Sequence, residues 1–132
     1  MNYLNNVILL KTPRKFLRTT FILDTGSPTT ILGYSDALRL QIPFDNLSKR
    51  KIIRLGGRKY QGYVFNKLIF IFKSEDNRTV SEKFPVTVIK PTSDKEKEEI
   101  GATPTIIGTD FLKNKGYKLF CDMARDIAYL EK

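Results

Sequence analysis

Short runs of apolar and β-branched residues, separated by polar turns, recur along most of the chain, and this pattern predicts a mainly β protein. The first two runs, 3–10 and 16–23, flank a polar turn at 12–15 that contains Pro13, so we expect them to form a hairpin. A third run at 29–32 predicts a strand that leaves the loop after the second run.

A long apolar stretch with glycines near its middle predicts one extended hairpin over 51–72. Gly56 and Gly57 would form its tip, because adjacent glycines permit the positive φ angles of a tight turn. The second arm would run over 60–72, with Gly62 as a bend or bulge.

Three later segments are also predicted as β-structure: a strand over 80–89, a short buried strand over 104–108, and a closing hairpin that pairs 117–121 with 126–130. Capping residues predict short helices over 35–40 and 110–114. The charge-dense stretch 92–103 is predicted as a surface loop or a short exposed helix.

The length of 132 residues, with 41% hydrophobic and 28% charged residues, predicts a single globular domain over 1–132. No apolar run approaches the roughly 20 residues needed to cross a bilayer, so we expect no membrane span. The run 7–10 is too short for a secretory signal, and the single Cys121 can form no internal disulfide. These features predict a cytoplasmic protein.

The net charge of +9 makes a nucleic-acid partner worth considering. However, the 23 Lys and Arg residues are spread along the chain, with short clusters at 11–15 and 48–54 and no accompanying nucleic-acid-binding motif. The charge therefore predicts a generally basic surface, and we do not expect a nucleic-acid partner. A small nucleic-acid-binding β-barrel is the alternative, which a salt-dependent DNA-binding assay would detect.

The chain contains no His and a single Cys, and this composition excludes several chemistries. Ser-His-Asp and Cys-His catalysis and His- or Cys-rich zinc sites all need residues that the sequence lacks. We therefore expect no metal and no cofactor. Acid–base catalysis would fall mainly on carboxylates, Lys or Tyr.

Asp24 is the leading candidate for such chemistry. It ends the apolar run 21–23 and is followed by Thr25, Gly26 and Ser27. An ionised Asp is costly to bury at the end of an apolar strand unless it is hydrogen-bonded. The two hydroxyls can supply hydrogen bonds, and the glycine permits a turn that brings backbone amides to the carboxylate. We therefore predict that Asp24 is catalytic.

Three stretches together resemble the retropepsin-like aspartic proteases: Phe21-Ile22-Leu23-Asp24-Thr25-Gly26-Ser27, Gly56-Gly57-Arg58-Lys59-Tyr60-Gln61-Gly62, and Thr105-Ile106-Ile107-Gly108-Thr109-Asp110-Phe111-Leu112. The resemblance is strongest to the cellular single-domain type, typified by the protease domain of the DNA-damage-inducible proteins, and extends over 7–130. It implies an all-β lobe with a closed, barrel-like sheet, a β-hairpin flap and one or two short helices.

The resemblance also implies an aspartic endopeptidase that acts as a homodimer on peptide or protein substrates. Its chemistry requires two carboxylates that share one proton around a water. Because the chain has one Asp-Thr-Gly, the second carboxylate must come from another copy, and Asp24 would lie beside its equivalent on a two-fold axis. Ile106, Ile107 and Gly108 would support the catalytic loop.

By the same resemblance, Thr25 would hydrogen-bond across the axis, and Gly26 would offer its backbone to the substrate or the carboxylate. The Ser27 hydroxyl would stabilise the ionised carboxylate, which predicts an acidic pH optimum. The flap residues near the substrate would be Gly56, Gly57, Arg58, Lys59 and Tyr60. Apolar residues are expected to line the cleft near Leu23, Ile31, Leu55 and Ile107.

A non-catalytic dimerisation or peptide-binding module of the same fold is the main alternative, although such a module has no need of a paired Asp24. The phosphate-binding Asp-x-Gly-x-Thr loop of actin-like kinases has a sequence similar to the stretch that begins at Asp24. However, position 28 is Pro, and the chain is too short for that two-lobed fold. Five other Asp residues are expected to cap helices or lie in turns, with Asp110 nearest the predicted site: Asp36, Asp45, Asp110, Asp122 and Asp126.

Overall fold

The computed structural model of the chain describes residues 2–3, 7–122, 124–125 and 127–132. The strands are β1 (Asn2–Tyr3), β2 (Val7–Lys11), β3 (Phe16–Leu23), β4 (Ile31–Leu32), β5 (Arg50–Leu55), β6 (Arg58–Phe65), β7 (Ile69–Lys73), β8 (Thr79–Lys83), β9 (Val86–Ile89), β10 (Thr105–Ile107), β11 (Lys118–Asp122) and β12 (Ile127–Glu131). The helices are α1 (Tyr34–Arg39), a 3-10 helix (Phe44–Asn46), α2 (Asp94–Ile100) and α3 (Thr109–Lys115). The predicted mainly β architecture is confirmed.

Nine of these strands form one sheet in the order β5-β6-β9-β4-β10-β3-β2-β7-β8, and three form a small sheet in the order β1-β12-β11. In the described part of the chain, β5 pairs with β6 alone and β8 pairs with β7 alone. The two ends of the large sheet therefore stay apart, and the predicted closure into a barrel is not confirmed. Exposed Arg50, Lys51 and Arg54 on the edge strand β5 discourage pairing with other sheet edges.

Strand β3 joins the two halves of the large sheet. Its first five residues, 16–20, pair antiparallel with β2, and its last three, 21–23, pair in parallel with β10. β10 also pairs with β4 on its other side. Leu23 and Ile107 are therefore opposed at the ends of two parallel strands, where the chain leaves the sheet.

An aromatic cluster anchors α3 in the main core. Phe70 and Phe72, on the inward face of β7, are buried and lie 5.3 and 5.8 Å from the ring of Phe111 in α3. Tyr117 stacks on the same ring at 5.6 Å. Because Phe111 has no exposed surface, this packing fixes the start of α3 next to the end of β10.

Two predicted hairpins are confirmed. β2 and β3 pair over the full length of β2, and β5 meets β6 at the two-residue turn Gly56–Gly57. The φ angles of these glycines are 55° and 78°, values that match the turn type favoured in tight hairpins.

Gly62 does not form the predicted bend or bulge. It lies in the regular part of β6, opposite Lys51 on one side and Ile89 on the other. A Cβ at this position would lie 2.8 Å from the carbonyl oxygen of Lys51 and 2.8 Å from Cγ2 of Thr87. The position therefore needs a glycine, because the backbone of Lys51 and the side chain of Thr87 approach it closely.

Two predicted strands are divided in the structure. The second arm of the long hairpin ends at Phe65, and β7 pairs with β2 and β8 instead. Leu68, in the connection, is fully buried and anchors this reversal in the core. The strand predicted over 80–89 is split into β8 and β9 at Pro85, which lacks the amide hydrogen that a sheet interior requires.

The closing hairpin is confirmed as β11 and β12, and β12 also pairs with β1, so both ends of the described chain share the small sheet. Residues 4–6 and Asp126, which belong to predicted strands, lie outside the described residues. The described residues contain three α-helices where one or two were expected, because 94–100 is helical. The Ser93 side chain accepts a hydrogen bond from the Glu96 amide, and Ile100 is buried. None of the helices in the described ranges is long and apolar enough to cross a membrane.

Candidate active site at the end of strand β3

Asp24 occupies the first position after β3, in a tight turn held by backbone hydrogen bonds. Its amide donates to the carbonyl of Ile107 at 3.1 Å, which continues the parallel pairing of β3 with β10. Its own carbonyl accepts from the amide of Ser27 at 3.1 Å and closes the turn. The main chain of Asp24 is therefore fixed from both sides, while its side chain is exposed.

The Asp24 carboxylate receives a hydrogen bond from its own turn. The amide of Gly26 donates to Oδ1 of Asp24 at 2.9 Å. This contact uses the close approach that a residue without a side chain allows, since a Cβ on Gly26 would lie 3.2 Å from the same oxygen. The hydrogen bond fixes the orientation of the carboxylate on the turn.

The two hydroxyls of the turn do not bond the carboxylate in the single chain. Ser27 Oγ donates to the carbonyl of Thr29 at 2.8 Å, so its one proton is committed to the backbone. The expected hydrogen bond from Ser27 to the Asp24 carboxylate is therefore not formed in the single chain, and its effect on the carboxylate stays a prediction. Thr25 lies at the tip of the turn and is exposed.

The segment from β10 into α3 interlocks with this turn. Gly108 approaches the loop so closely that a Cβ would lie 2.6 Å from the carbonyl oxygen of Ser27 and 2.7 Å from that of Thr29. The amide of Thr109 donates to the same Ser27 carbonyl at 2.9 Å. Ile106 and Ile107 are buried. Gly108 thus contacts the turn through the backbone while Ile106 and Ile107 pack in the core, and their role in supporting a catalytic loop stays a prediction.

Asp110 ties the two segments together through Thr30. The Thr30 amide donates to Oδ2 of Asp110 at 3.0 Å, and the Thr30 hydroxyl donates to Oδ1 at 2.7 Å. The same hydroxyl accepts from the amide of Gly108 at 3.0 Å. Thr30 has no exposed surface, so these bonds satisfy groups that water cannot reach. Sequence reasoning expected only a helix-start residue at this position.

Asp36 is a second carboxylate whose role the sequence did not show. It is 5% exposed and accepts from the Thr105 hydroxyl at 2.7 Å, from the Thr19 hydroxyl at 3.1 Å, and from Arg39 at 2.5 Å. Thr105 Oγ1 also accepts from the amide of Gly33. Asp36 thereby links β3, β10 and α1. It is a buried structural group and not the solvated cap that was expected.

The flap-like hairpin, formed by β5 and β6, contacts a different part of the chain. Arg58 forms an ion pair with Glu99 of α2, and the Tyr60 hydroxyl donates to the same carboxylate at 2.9 Å. Lys59 is exposed, and nothing lies within 4 Å of the Cβ positions of Gly56 and Gly57. The structure thus brings the Asp24 turn, β10 and α3 together, whereas the hydrogen bonds of the hairpin tip run to α2.

The predicted lining of the cleft needs correction. Ile31 and Ile107 are 1% and 0% exposed, because both belong to the hydrophobic core on either side of the sheet. They cannot contact a substrate. Leu23 and Leu55 are partly exposed and stay available. Within the described ranges, no group of three or more His, Cys, Asp or Glu residues could hold a metal ion.

Comparison with known proteins gives a likeness of structure only. No family model and no curated protein sequence matches the chain. Among solved structures, it is similar to the crystal structure of a retropepsin-like aspartic protease from Rickettsia conorii, with a TM-score of 0.52 and 16% sequence identity. The similarity covers 98% of this chain and 88% of that chain. The chain therefore has the retropepsin-like fold, whereas its likeness to the DNA-damage-inducible type stays a prediction.

Proposed function

We propose that the protein is an aspartic endopeptidase, which hydrolyses peptide bonds with a water held between the Asp24 carboxylates of two copies of the chain. The observation that carries this proposal is the placement of Asp24. It is an exposed carboxylate on a fixed turn at the end of two parallel strands, with the Gly26 amide donating to Oδ1, in a retropepsin-like fold.

The need for a second copy follows from the chemistry and from the count of motifs. Hydrolysis by this route requires one ionised carboxylate to act as base and one protonated carboxylate to act as acid. The sequence holds one Asp-Thr-Gly. A two-fold homodimer would supply the second Asp24, and an exposed side chain is free to meet its equivalent.

The reaction conserves the proton that the two carboxylates share. The ionised Asp24 takes a proton from the water while the oxygen attacks the peptide carbonyl, and the protonated Asp24 of the other copy donates its proton to the carbonyl oxygen. The resulting tetrahedral diol collapses when the C–N bond breaks: the leaving amine receives the proton that the first Asp24 took from the water, and one diol hydroxyl gives its proton to the carboxylate of the second Asp24 and becomes the new carbonyl. The pair of carboxylates then returns to its single shared proton.

The other residues of the site would position this pair. Gly26 holds the Asp24 carboxylate through its amide, and Thr25, exposed at the tip of the turn, would reach the equivalent loop across the axis. The turn would be supported by Ile106, Ile107 and Gly108. Peptide substrates would pass between the turn and the hairpin that carries Gly56, Gly57, Arg58, Lys59 and Tyr60. Leu23 and Leu55 favour apolar side chains near the cut.

Asp24→Asn tests the proposal, because asparagine keeps the acceptor oxygen for the Gly26 amide while it removes the ionisable group. Asp45→Asn is the matched control, since the Asp45 side chain is 94% exposed and pairs only with Lys90 among the described residues. Cleavage of a peptide mixture would be followed by mass spectrometry from about pH 3 to about pH 8, a range that extends to both sides of the ordinary Asp carboxyl pKa of about 3.9.

We expect Asp24→Asn to lower the cleavage rate by about a thousandfold, the usual scale for loss of an acid–base group, and Asp45→Asn to cleave as the parent does. Equal cleavage by Asp24→Asn and the parent would remove Asp24 from the mechanism. A folded, dimeric parent that cleaves no peptide at any pH would instead favour the non-catalytic module.

A further inference from the structure

Helix α2 packs directly against the flap-like hairpin. Ile100, at the end of α2, is 1% exposed and belongs to the same hydrophobic cluster as Ile53 of β5 and Tyr60 of β6. The charge-dense stretch therefore forms a helix that lies on the hairpin, and not a solvated connection. This packing holds the body of the hairpin but does not reach its glycine tip.

The last polar residue of α2 extends the contact toward the tip. One oxygen of the Glu99 carboxylate, Oε1, pairs with Arg58, and the other, Oε2, accepts from the Tyr60 hydroxyl at 2.9 Å. The Glu99 side chain is 23% exposed, so the carboxylate is partly shielded from water. Both of its oxygens are thus engaged by β6. We call Glu99, Arg58 and Tyr60 the Glu99 clamp.

The clamp acts at the place where the hairpin has least other support. Arg58 directly follows Gly57 and closes the turn opposite Leu55. Nothing lies within 4 Å of the Cβ positions of Gly56 and Gly57, so the tip makes no close packing contact there. A restraint on Arg58 therefore decides how freely the tip can move relative to α2.

Neighbouring acidic residues of α2 do not share this role. Glu96 accepts from the Thr92 amide through Oε1, and its own amide donates to Ser93, so it caps the helix. Glu98 is exposed, and its side chain makes no hydrogen bond or ion pair within the described residues. Glu99 alone among these three glutamates bonds the hairpin.

We propose that Glu99 is a positioning residue, which holds the tip of the β5–β6 hairpin in one position by its ion pair with Arg58 and its hydrogen bond from Tyr60. The Arg58 side chain is 54% exposed, so the ion pair can open and re-form in water. The clamp thereby makes the hairpin a restrained but releasable element. Its effect on substrate rests on the proposed peptidase function, whereas the restraint itself does not.

Amide hydrogen exchange across 50–65 tests the restraint without reference to activity. Glu99→Gln removes the ion pair but keeps an oxygen that can accept from Tyr60, and Tyr60→Phe removes the hydrogen bond alone. Glu98→Gln makes the same charge change one position away and is the matched control. A double variant with reversed charges, Arg58→Glu with Glu99→Arg, restores an ion pair between the two positions.

We expect Glu99→Gln to speed exchange of the hairpin amides by about fivefold, as loss of an exposed ion pair does at its upper limit, with β2 and β3 unchanged. In Glu98→Gln the hairpin amides should exchange as fast as in the parent. In the double variant with reversed charges, their exchange should return toward the parent rate. Parent-like exchange in both Glu99→Gln and Tyr60→Phe would overturn the proposal. So would equal acceleration in Glu98→Gln, which would indicate a general charge effect on α2.

A peptide-cleavage assay then separates positioning from simple stability. If the hairpin contributes to substrate binding, Glu99→Gln should raise KM several-fold with a smaller change in kcat, and the control Glu98→Gln should keep the KM of the parent. A uniform loss of active protein at unchanged KM would contradict a positioning role. If the parent cleaves nothing, the proposed function fails, but the exchange experiment still decides whether the clamp exists.

Discussion

The Thr30 hydroxyl donates a hydrogen bond of 2.7 Å to Asp110, which lies 80 residues later in the chain. Through the amide of Gly108, the same hydroxyl also holds the end of β10. One buried side chain thereby connects the segment that follows the Asp24 turn to the start of α3. The position of the Asp24 carboxylate therefore depends on residues that would not contact a substrate.

Replacing Asp110 should destabilise the fold more than an exposed aspartate does. Asp110→Ala leaves the amide and hydroxyl of the fully buried Thr30 without their acceptors, at a cost of about 3 kcal/mol of unfolding free energy. Asp110→Asn keeps one acceptor oxygen and should cost about half as much. Urea unfolding followed by circular dichroism measures both values.

Asp45→Ala is the control for this series, because it breaks an exposed pair with Lys90 and should cost less than about 0.5 kcal/mol. If Asp110→Ala lost no more stability than Asp45→Ala, the carboxylate would not support the loop.

Gly108→Ala should disrupt the site by steric conflict. The added Cβ would lie 2.6 Å from the Ser27 carbonyl oxygen, and both partners are backbone, so neither can rotate away. We expect a loss of about 3 kcal/mol, at the upper end for an overpacked position, together with loss of cleavage. Thermal unfolding and the peptide assay check the two effects.

Gly101→Ala is the matched control, because its φ of −59° is helical and its nearest contact is 3.1 Å, to the carbonyl of Lys97. Its stability should stay within about 1 kcal/mol of the parent. Equal behaviour of the two variants would contradict the interlocked arrangement of β10 and the turn.

Ser27→Ala should change stability and leave the pH dependence of cleavage alone. The hydroxyl proton is donated to the Thr29 carbonyl, so its removal should cost about 1 kcal/mol of unfolding free energy. The profile of kcat/KM against pH should keep its midpoints, because the Gly26 amide still donates to the Asp24 carboxylate. An upward shift of the acidic limb in Ser27→Ala would show that the hydroxyl does stabilise the ionised carboxylate.

The local parts of this architecture could be predicted from the sequence. The apolar run before Asp24 and the adjacent Gly56 and Gly57 determine a strand and a tight turn through contacts between neighbouring residues, and both form as expected. The burial of individual residues could be predicted less reliably from the sequence, since Ile31 and Ile107 are apolar residues near the site and yet lie in the core. Apolar character alone does not distinguish a cleft wall from a core.

The long-range polar contacts could not be predicted in the same way. Asp36 bonds Thr105, 69 residues away, and Asp110 bonds Thr30, 80 residues away, so no local pattern distinguishes either carboxylate from a helix cap. The partner of β7 and the contact of Glu99 with Arg58 likewise depend on which elements the fold brings together. Such contacts become visible only once the strand order is known.

The central claim is that one active site needs Asp24 from two chains, and subunit mixing tests it most directly. The parent and Asp24→Asn chains would be mixed in equal amounts, equilibrated so that subunits exchange, and assayed for peptide cleavage at constant total concentration. If both carboxylates are required and the chains pair at random, about a quarter of the activity of the pure parent should remain. Retention of about half would mean that each chain carries a complete site of its own, and would contradict the account.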